Sequence, residues 1–224
     1  MCGLGDDALV RTVTLIEAPT SAGAYAPGQE DGPRALLDAG LREELEAVGV
    51  TVRIGGQAST FRWRPDPGSP RAIDGAVDGL GALAAQRPML DAGQISFLGL
   101  GPHTDFEAEV IADRELPVVD VRSTASDPLG SARTALAPLA ACDSLAVHFD
   151  VDLVDFLDAP LAENTDRGTA PSLKACGEIL SELLTDARVR ALTVTEFNPH
   201  HGSKDGRATQ RLLQVLIEVL GEAE

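Results

Sequence analysis

Two aspartates end an apolar segment in the second half of the chain. Asp150 and Asp152 follow residues 145–149, whose composition is typical of a buried strand. If the strand continues through them, its alternation points both carboxylates to one face. Two like charges held together are costly unless a cation neutralises them, one carboxyl takes a proton, or hydrogen bonds satisfy them. The pair therefore predicts either a metal site or a turn that an aspartate caps.

A second polar cluster lies at residues 163–169, in the segment after that strand. It includes Asn164 and Thr165 and combines amide, hydroxyl and carboxylate groups, which suit a small polar ligand. Loops that follow parallel strands are where such ligands bind. The same composition also fits a solvated loop that ends at a helix N-cap, Ser172. From the residues alone both interpretations stay open.

A third cluster, at residues 195–202, follows another apolar segment. Glu196 can pair with a guanidinium, because a carboxylate accepts two parallel N–H bonds. His200 and His201 are adjacent and point in different directions, which argues against both of them binding one metal. A surface loop is the alternative interpretation of this cluster.

The segments around these clusters alternate between strand and helix patterns. Strands are predicted at residues 10–16, 50–54, 94–99, 117–121, 144–152 and 191–196, and helices at residues 34–48, 72–85, 128–139, 172–184 and 208–220. This alternation predicts an α/β domain of three layers, in which helices cover both faces of a mainly parallel sheet. Ligands bind beyond the carboxyl ends of such strands, where all three clusters stand.

Length and charge restrict the class of protein and its partners. The 224 residues suffice for one substantial core, so a single domain over residues 1–224 is expected. Lys and Arg number 18 and Asp and Glu 35, and the resulting net charge of −17 argues against nucleic acid and membrane partners. No targeting segment, membrane span or cysteine framework is predicted. The sequence therefore indicates a cytoplasmic protein with reduced thiols.

Three motifs, taken in order, resemble the C-terminal half of the arginase/agmatinase (ureohydrolase) family. They are FDVD at 149–152, ENTDRG at 163–168 and TEFNP at 195–199. GPRAL at 32–36 and DGRAT at 205–209 are similar to further parts of the family. The resemblance implies an arginase-like fold and a manganese-dependent hydrolase that acts on C–N bonds of guanidino (linear amidine) compounds.

The resemblance also implies roles for the three clusters. Asp150 and Asp152 match two aspartates that bind manganese in the family. Glu196 matches the carboxylate that holds the guanidinium of the substrate. Asn164 and Thr165 lie in the loop that contacts the substrate. No residue of this chain is assigned as catalytic.

The chain departs from the family in its middle. The GGDH-type and DAHxD-type segments, which carry the first metal ligands of the family, are absent from the sequence. The family places two interior βα units there, so the likeness implies an internal deletion around residues 84–93. Hydrolysis of a guanidinium requires a hydroxide at neutral pH, which the family obtains by bridging a water between two cations. Three hypotheses stay open: a metal-dependent hydrolase, a non-catalytic relic that binds ligands or assembles oligomers, and a site completed by another chain in a homo- or hetero-oligomer.

Overall fold

The computed structural model describes residues 11–64, 90–162, 168–202 and 204–222. The strands in these ranges are β1 (Thr12–Glu17), β2 (Thr51–Gln57), β3 (Phe97–Leu100), β4 (Val118–Asp120), β5 (Leu145–Asp150) and β6 (Val189–Thr195). The α-helices are α1 (Gly32–Asp38), α2 (Leu41–Ala47), α3 (Asp105–Asp113), α4 (Val121–Ser126), α5 (Pro128–Leu136), α6 (Leu173–Leu184) and α7 (Arg207–Glu222). The helix predicted at 72–85 lies outside the described ranges.

Every described strand pairs in parallel. β1 pairs with β2, β3 with β4 and β5 with β6, which gives three two-stranded sheets. In each pair at least one helix connects the two strands, as a parallel connection requires. The predicted α/β architecture with parallel strands is therefore confirmed. Whether two interior βα units have been lost stays a prediction, because most of residues 84–93 fall outside the description.

The helix predicted at 34–48 is divided in two. Gly32 and Pro33 begin α1 as the sequence indicates, since proline suits the first turn of a helix. The chain then breaks at Gly40, whose φ of 102° is left-handed, and α2 begins at Leu41. The apolar spacing continues through the break, because Leu36, Leu41 and Leu45 are all buried. The pattern of apolar residues therefore did not reveal the interruption.

Two short helices were not predicted, although each begins with a recognisable cap. Thr104 and Glu107 form a reciprocal capping box at the start of α3. The Asp120 carboxylate accepts the backbone N–H groups of Arg122 and Ser123 at the start of α4. These cap residues were the available signal in the sequence.

The main core lies where α7 packs against α6 and α2. The predicted apolar side of the closing helix is confirmed, because Leu212, Leu213 and Leu216 are 0%, 3% and 3% exposed. Leu45 and Leu173 add fully buried side chains from α2 and α6. This core joins the amino-terminal and carboxy-terminal parts of the described chain.

Two further features bear on expectations drawn from composition. No helix within the described ranges is both long and apolar enough to cross a membrane. Cys142 and Cys176 are free thiols. Burial, aided by the nearby Asp158 charge, raises the pKa of Cys176 to about 12. A thiol with so high a pKa is unreactive at neutral pH.

Truncating a core leucine tests this arrangement. Leu212→Ala is expected to lower the free energy of unfolding by about 2–5 kcal/mol, because it removes buried methyl groups and leaves a cavity. Chemical denaturation followed by circular dichroism measures the change. Leu157→Ala is the control, since Leu157 is 67% exposed and its loss should change stability by about 0.5 kcal/mol or less. Equal effects at the two positions would contradict the placement of the core.

Candidate functional site

The carboxyl ends of β5 and β6 lie side by side. In the parallel register His148 is opposite Thr193 and Asp150 is opposite Thr195. Both strands end at the second of these pairs, and Glu196 is the next residue after β6. The fold therefore brings Asp150 and Glu196 to the same end of one strand pair, which is where ligands bind in parallel sheets.

Asp152 is not part of the strand. β5 ends at Asp150, and Val151–Leu153 form a 3-10 turn. The Asp152 N–H donates to Asp150 Oδ1 at 2.9 Å. The prediction that strand alternation places both carboxylates on one face is therefore wrong for Asp152, because the chain leaves the extended conformation before it. Asp150 caps the turn, as the alternative interpretation proposed.

Asp150 is a half-buried carboxyl group. Burial raises its pKa above the usual value, although the hydrogen bond from the Asp152 backbone and the nearby His148 act in the opposite direction. The protein therefore stabilises the ionised form of Asp150 poorly. A bound cation would favour that form.

The histidines near the site are hydrogen-bonded to protein groups. The two ring nitrogens of His148 lie 2.8 Å from Thr193 Oγ1 and 3.2 Å from Thr195 Oγ1. His200 Nε2 lies 2.9 Å from Asp31 Oδ2. Both histidines thus have partners other than Asp150.

The described side chains around Asp150 do not fit a pair of manganese ions. In the described parts of the chain, no three His, Cys, Asp or Glu side chains form a possible metal-binding group. One oxygen of Asp150 already accepts the Asp152 N–H. Manganese prefers several carboxylate, carbonyl or water oxygens around each ion. Asp150 and Asp152 therefore cannot supply the two-metal centre that the resemblance implies.

Glu196 has an unusual backbone conformation and a specific partner. Its φ of 63° is left-handed, which costs a non-glycine residue about 1–2 kcal/mol. Its half-buried carboxylate accepts, at Oε2, a hydrogen bond from the side-chain amide of Gln29. Gln29 is 8% exposed and was not a candidate in the sequence, because no local motif marks it. Only the fold brings these two side chains together.

Asn198 links the segment after β6 to the turn that contains Pro27 and Gly28. Its side-chain amide donates to Pro27 O at 3.2 Å, and its backbone N–H donates to Leu161 O at 2.9 Å. Its Oδ1 accepts the His200 N–H at 3.0 Å. Gly28 must be glycine here, since its φ is 128° and a Cβ would lie 2.4 Å from Asn198 Oδ1. The two segments are in close contact.

Glu30 fixes the turn that carries Gln29. Its carboxylate accepts the Gly28 N–H at 2.8 Å and the Ser21 hydroxyl. Burial alone would raise the pKa of Glu30, but the hydrogen bonds from the Ser21 side chain and from the backbone lower it below the usual value. Glu30 is therefore an ionised anchor within the turn.

Asn164 and Thr165 fall in a part of the chain that the structure leaves undescribed, between Ala162 and Gly168. The N–H of Gly168, the first described residue after them, donates to Asp155 Oδ2 at 2.6 Å. The assignment of Asn164 and Thr165 to substrate binding stays a prediction.

Asp150→Asn is expected to raise the melting temperature of the metal-free protein at neutral pH. The amide removes a charge that burial disfavours and keeps an oxygen for the Asp152 N–H. Because the folded-state pKa of Asp150 is raised, the wild-type carboxyl becomes neutral as pH falls, so the advantage of the variant should shrink. Calorimetry over a pH series measures this. Asp143→Asn, at an exposed position before β5, is the control, and an equal gain there would contradict the explanation.

Comparison with known proteins gives similarity in structure alone. No family model matches the chain, and no curated protein matches its sequence. The arginase of Bacillus subtilis is similar in structure, with a TM-score of 0.78 and 18% identity over 95% of this chain and 99% of that chain. At such low sequence identity, the similarity shows a shared fold and does not show a shared activity.

Two other solved structures extend this similarity. The arginase of Entamoeba histolytica, in complex with L-ornithine, has a TM-score of 0.69 and 15% identity over 95% of this chain and 98% of that one. The formiminoglutamase of Trypanosoma cruzi, solved with Mn²⁺, has a TM-score of 0.64 and 15% identity over 96% of this chain and 93% of that one. The chain therefore has the three-layer α/β fold of the arginase-like proteins.

Proposed function

We propose that this protein is a cytoplasmic, arginase-like protein that binds a small guanidino compound, with Glu196 as the carboxylate for the guanidinium. The observation that carries the proposal is the position of Glu196. It is a half-buried carboxylate at the carboxyl end of β6, beside the end of β5. A carboxylate in such a place can accept two parallel N–H bonds from a planar cation.

The similar structures support the ligand class. Those named above are arginases and a formiminoglutamase, which favours guanidino and amidine ligands over unrelated cations. The residues 195–199 around Glu196 also resemble the TEFNP motif of that family. We infer that Asn164 and Thr165, which lie outside the described residues, contribute to the same binding site.

The described side chains that could bind a metal favour a protein that binds its ligand without hydrolysing it. Two bridging cations are the usual source of hydroxide for such hydrolysis. The described side chains do not supply the ligands for them. We therefore infer that this chain, alone, recognises its ligand as a non-catalytic relative of the hydrolases.

A manganese-dependent amidinohydrolase is the second candidate. The poorly stabilised carboxylate of Asp150, with Asp152 in the adjacent turn, favours it, since a cation there would relieve the charge. In this hypothesis Asp150 and Asp152 bind manganese, and another chain of an oligomer supplies the other ligands.

Metal analysis separates the two candidates. The purified protein is loaded with Mn²⁺, unbound Mn²⁺ is removed, and the bound metal is measured by mass spectrometry. The same protein is then assayed for urea or ammonia release from a panel of guanidino compounds. Retention of no metal, together with binding of butylguanidine, is the result expected for the first candidate. About two ions per chain with turnover would overturn it and support the hydrolase.

Asp152→Asn tests the metal assignment. Any Mn²⁺ binding by the loaded protein is expected to weaken at least about tenfold, because an amide is a poorer ligand for a hard cation than a carboxylate. Electron paramagnetic resonance of free Mn²⁺ measures the affinity. Asp143→Asn, at the opposite end of β5, is the control. Unchanged affinity in Asp152→Asn would mean that the aspartates serve only the turn.

Glu196→Gln tests the guanidinium assignment. The variant keeps the size of the side chain and removes its charge. Butylguanidine should therefore bind about 10- to 100-fold more weakly, which corresponds to the loss of one charged hydrogen bond. An NMR titration at constant ionic strength measures the dissociation constant. Glu218→Gln, exposed on α7, is the matched control. Equal binding by Glu196→Gln and wild type would remove Glu196 from the site.

A further inference from the structure

Gln29 is a hydrogen-bond partner of the Glu196 carboxylate. The two are 167 positions apart in sequence, and the Gln29 amide donates directly to Glu196 Oε2. We propose that Gln29 is a positioning residue that fixes the plane of the Glu196 carboxylate and so selects planar guanidinium ligands over ammonium ligands. This inference rests on the proposed function of Glu196 and concerns its specificity.

The backbone of Gln29 is itself held on both sides. The Gly28 N–H donates to the Glu30 carboxylate, and the Glu30 N–H donates to Ser21 Oγ at 3.1 Å. The Asp31 N–H closes the 3-10 turn on Gly28 O at 3.0 Å. Gln29 can therefore act as a fixed donor, because the turn that carries it is anchored by a buried carboxylate.

A fixed hydrogen-bond partner also reduces the entropy that the Glu196 side chain loses on ligand binding. The glutamate side chain has three rotatable bonds, and ordering them when a ligand binds has an entropic cost. A carboxylate that is ordered before binding avoids this loss. The neighbouring residues Phe197 and Asn198 are 5% and 3% exposed, so the backbone at Glu196 is also held.

The plane of the carboxylate matters to one class of cation and not to the other. A guanidinium presents its N–H groups in a rigid fork and pairs well only when the carboxylate lies in the same plane. An ammonium is a compact charge with rotating donors and tolerates any orientation. The hydrogen bond from Gln29 uses one of about four lone-pair positions of a carboxylate, so it is compatible with a paired fork.

The test compares Gln29→Leu with a matched control. Gln214→Leu removes a similar hydrogen bond, from Gln214 Nε2 to Glu218 Oε1 at 2.8 Å, on the exposed surface of α7. Butylguanidine and butylamine are titrated into each protein and followed by NMR. In Gln29→Leu the affinity for butylguanidine should fall about tenfold, and that for butylamine by less than about twofold. Gln214→Leu should bind both as wild type does.

An equal loss for the two probes in Gln29→Leu, or no loss, would overturn the proposal, since neither result depends on the carboxylate plane. Thermal unfolding checks that the variant is folded. If Gln29→Leu does not fold, Gln29→Met replaces it, because methionine has a similar length and no strong donor.

A ligand-free measurement separates this proposal from the proposed function. The side-chain NH₂ signal of Gln29 should shift in Glu196→Ala. Wild-type protein that binds neither probe would overturn the proposed function, and this signal then decides whether Gln29 positions Glu196. A Gln29 signal that does not respond to Glu196→Ala would overturn the positioning role.

Discussion

The close approach between the turn at residues 28–32 and the segment after β6 is the constraint on which the candidate site depends. A Cβ at Gly28 would lie 2.4 Å from Asn198 Oδ1, and one at Gly32 would lie 2.8 Å from Phe197 O. Larger residues at either glycine would force the two segments apart. The hydrogen bond from Gln29 and the burial of Asn198 both require this distance. The left-handed backbone of Glu196 is supported by the same contact.

The fold shifts the pKa values of two acidic residues, Glu30 and Asp150, in opposite directions. Glu30 receives several hydrogen bonds, and its pKa is lowered despite burial. The backbone hydrogen bond that Asp150 accepts from Asp152 does not offset its burial, which raises its pKa. The surroundings of Asp150 therefore disfavour its charged form, whereas those of Glu30 favour it.

The sequence predicted what depends on local pattern. The alternation of strands and helices, the presence of a strand at β6 and the apolar side of α7 are periodic features that a short window contains. It did not predict the break at Gly40, since the apolar spacing continues across it. It placed Asp152 on a strand because alternation cannot show where the chain turns. Gln29 could not be found, because its role arises from a contact between distant parts of the chain.

The hydrogen bonds that join distant parts of the chain also determine when the candidate site can form. Gln29 meets Glu196 across 167 positions, and Arg11 donates to Leu220 O across 209. Contacts of such long sequence separation form late in folding, because the whole intervening chain must first be ordered. During synthesis β1 and the Gln29 turn leave the ribosome well before their partners do. The contact between Gln29 and Glu196 therefore cannot form before β6 has been synthesised, and the core that supports it also needs α7.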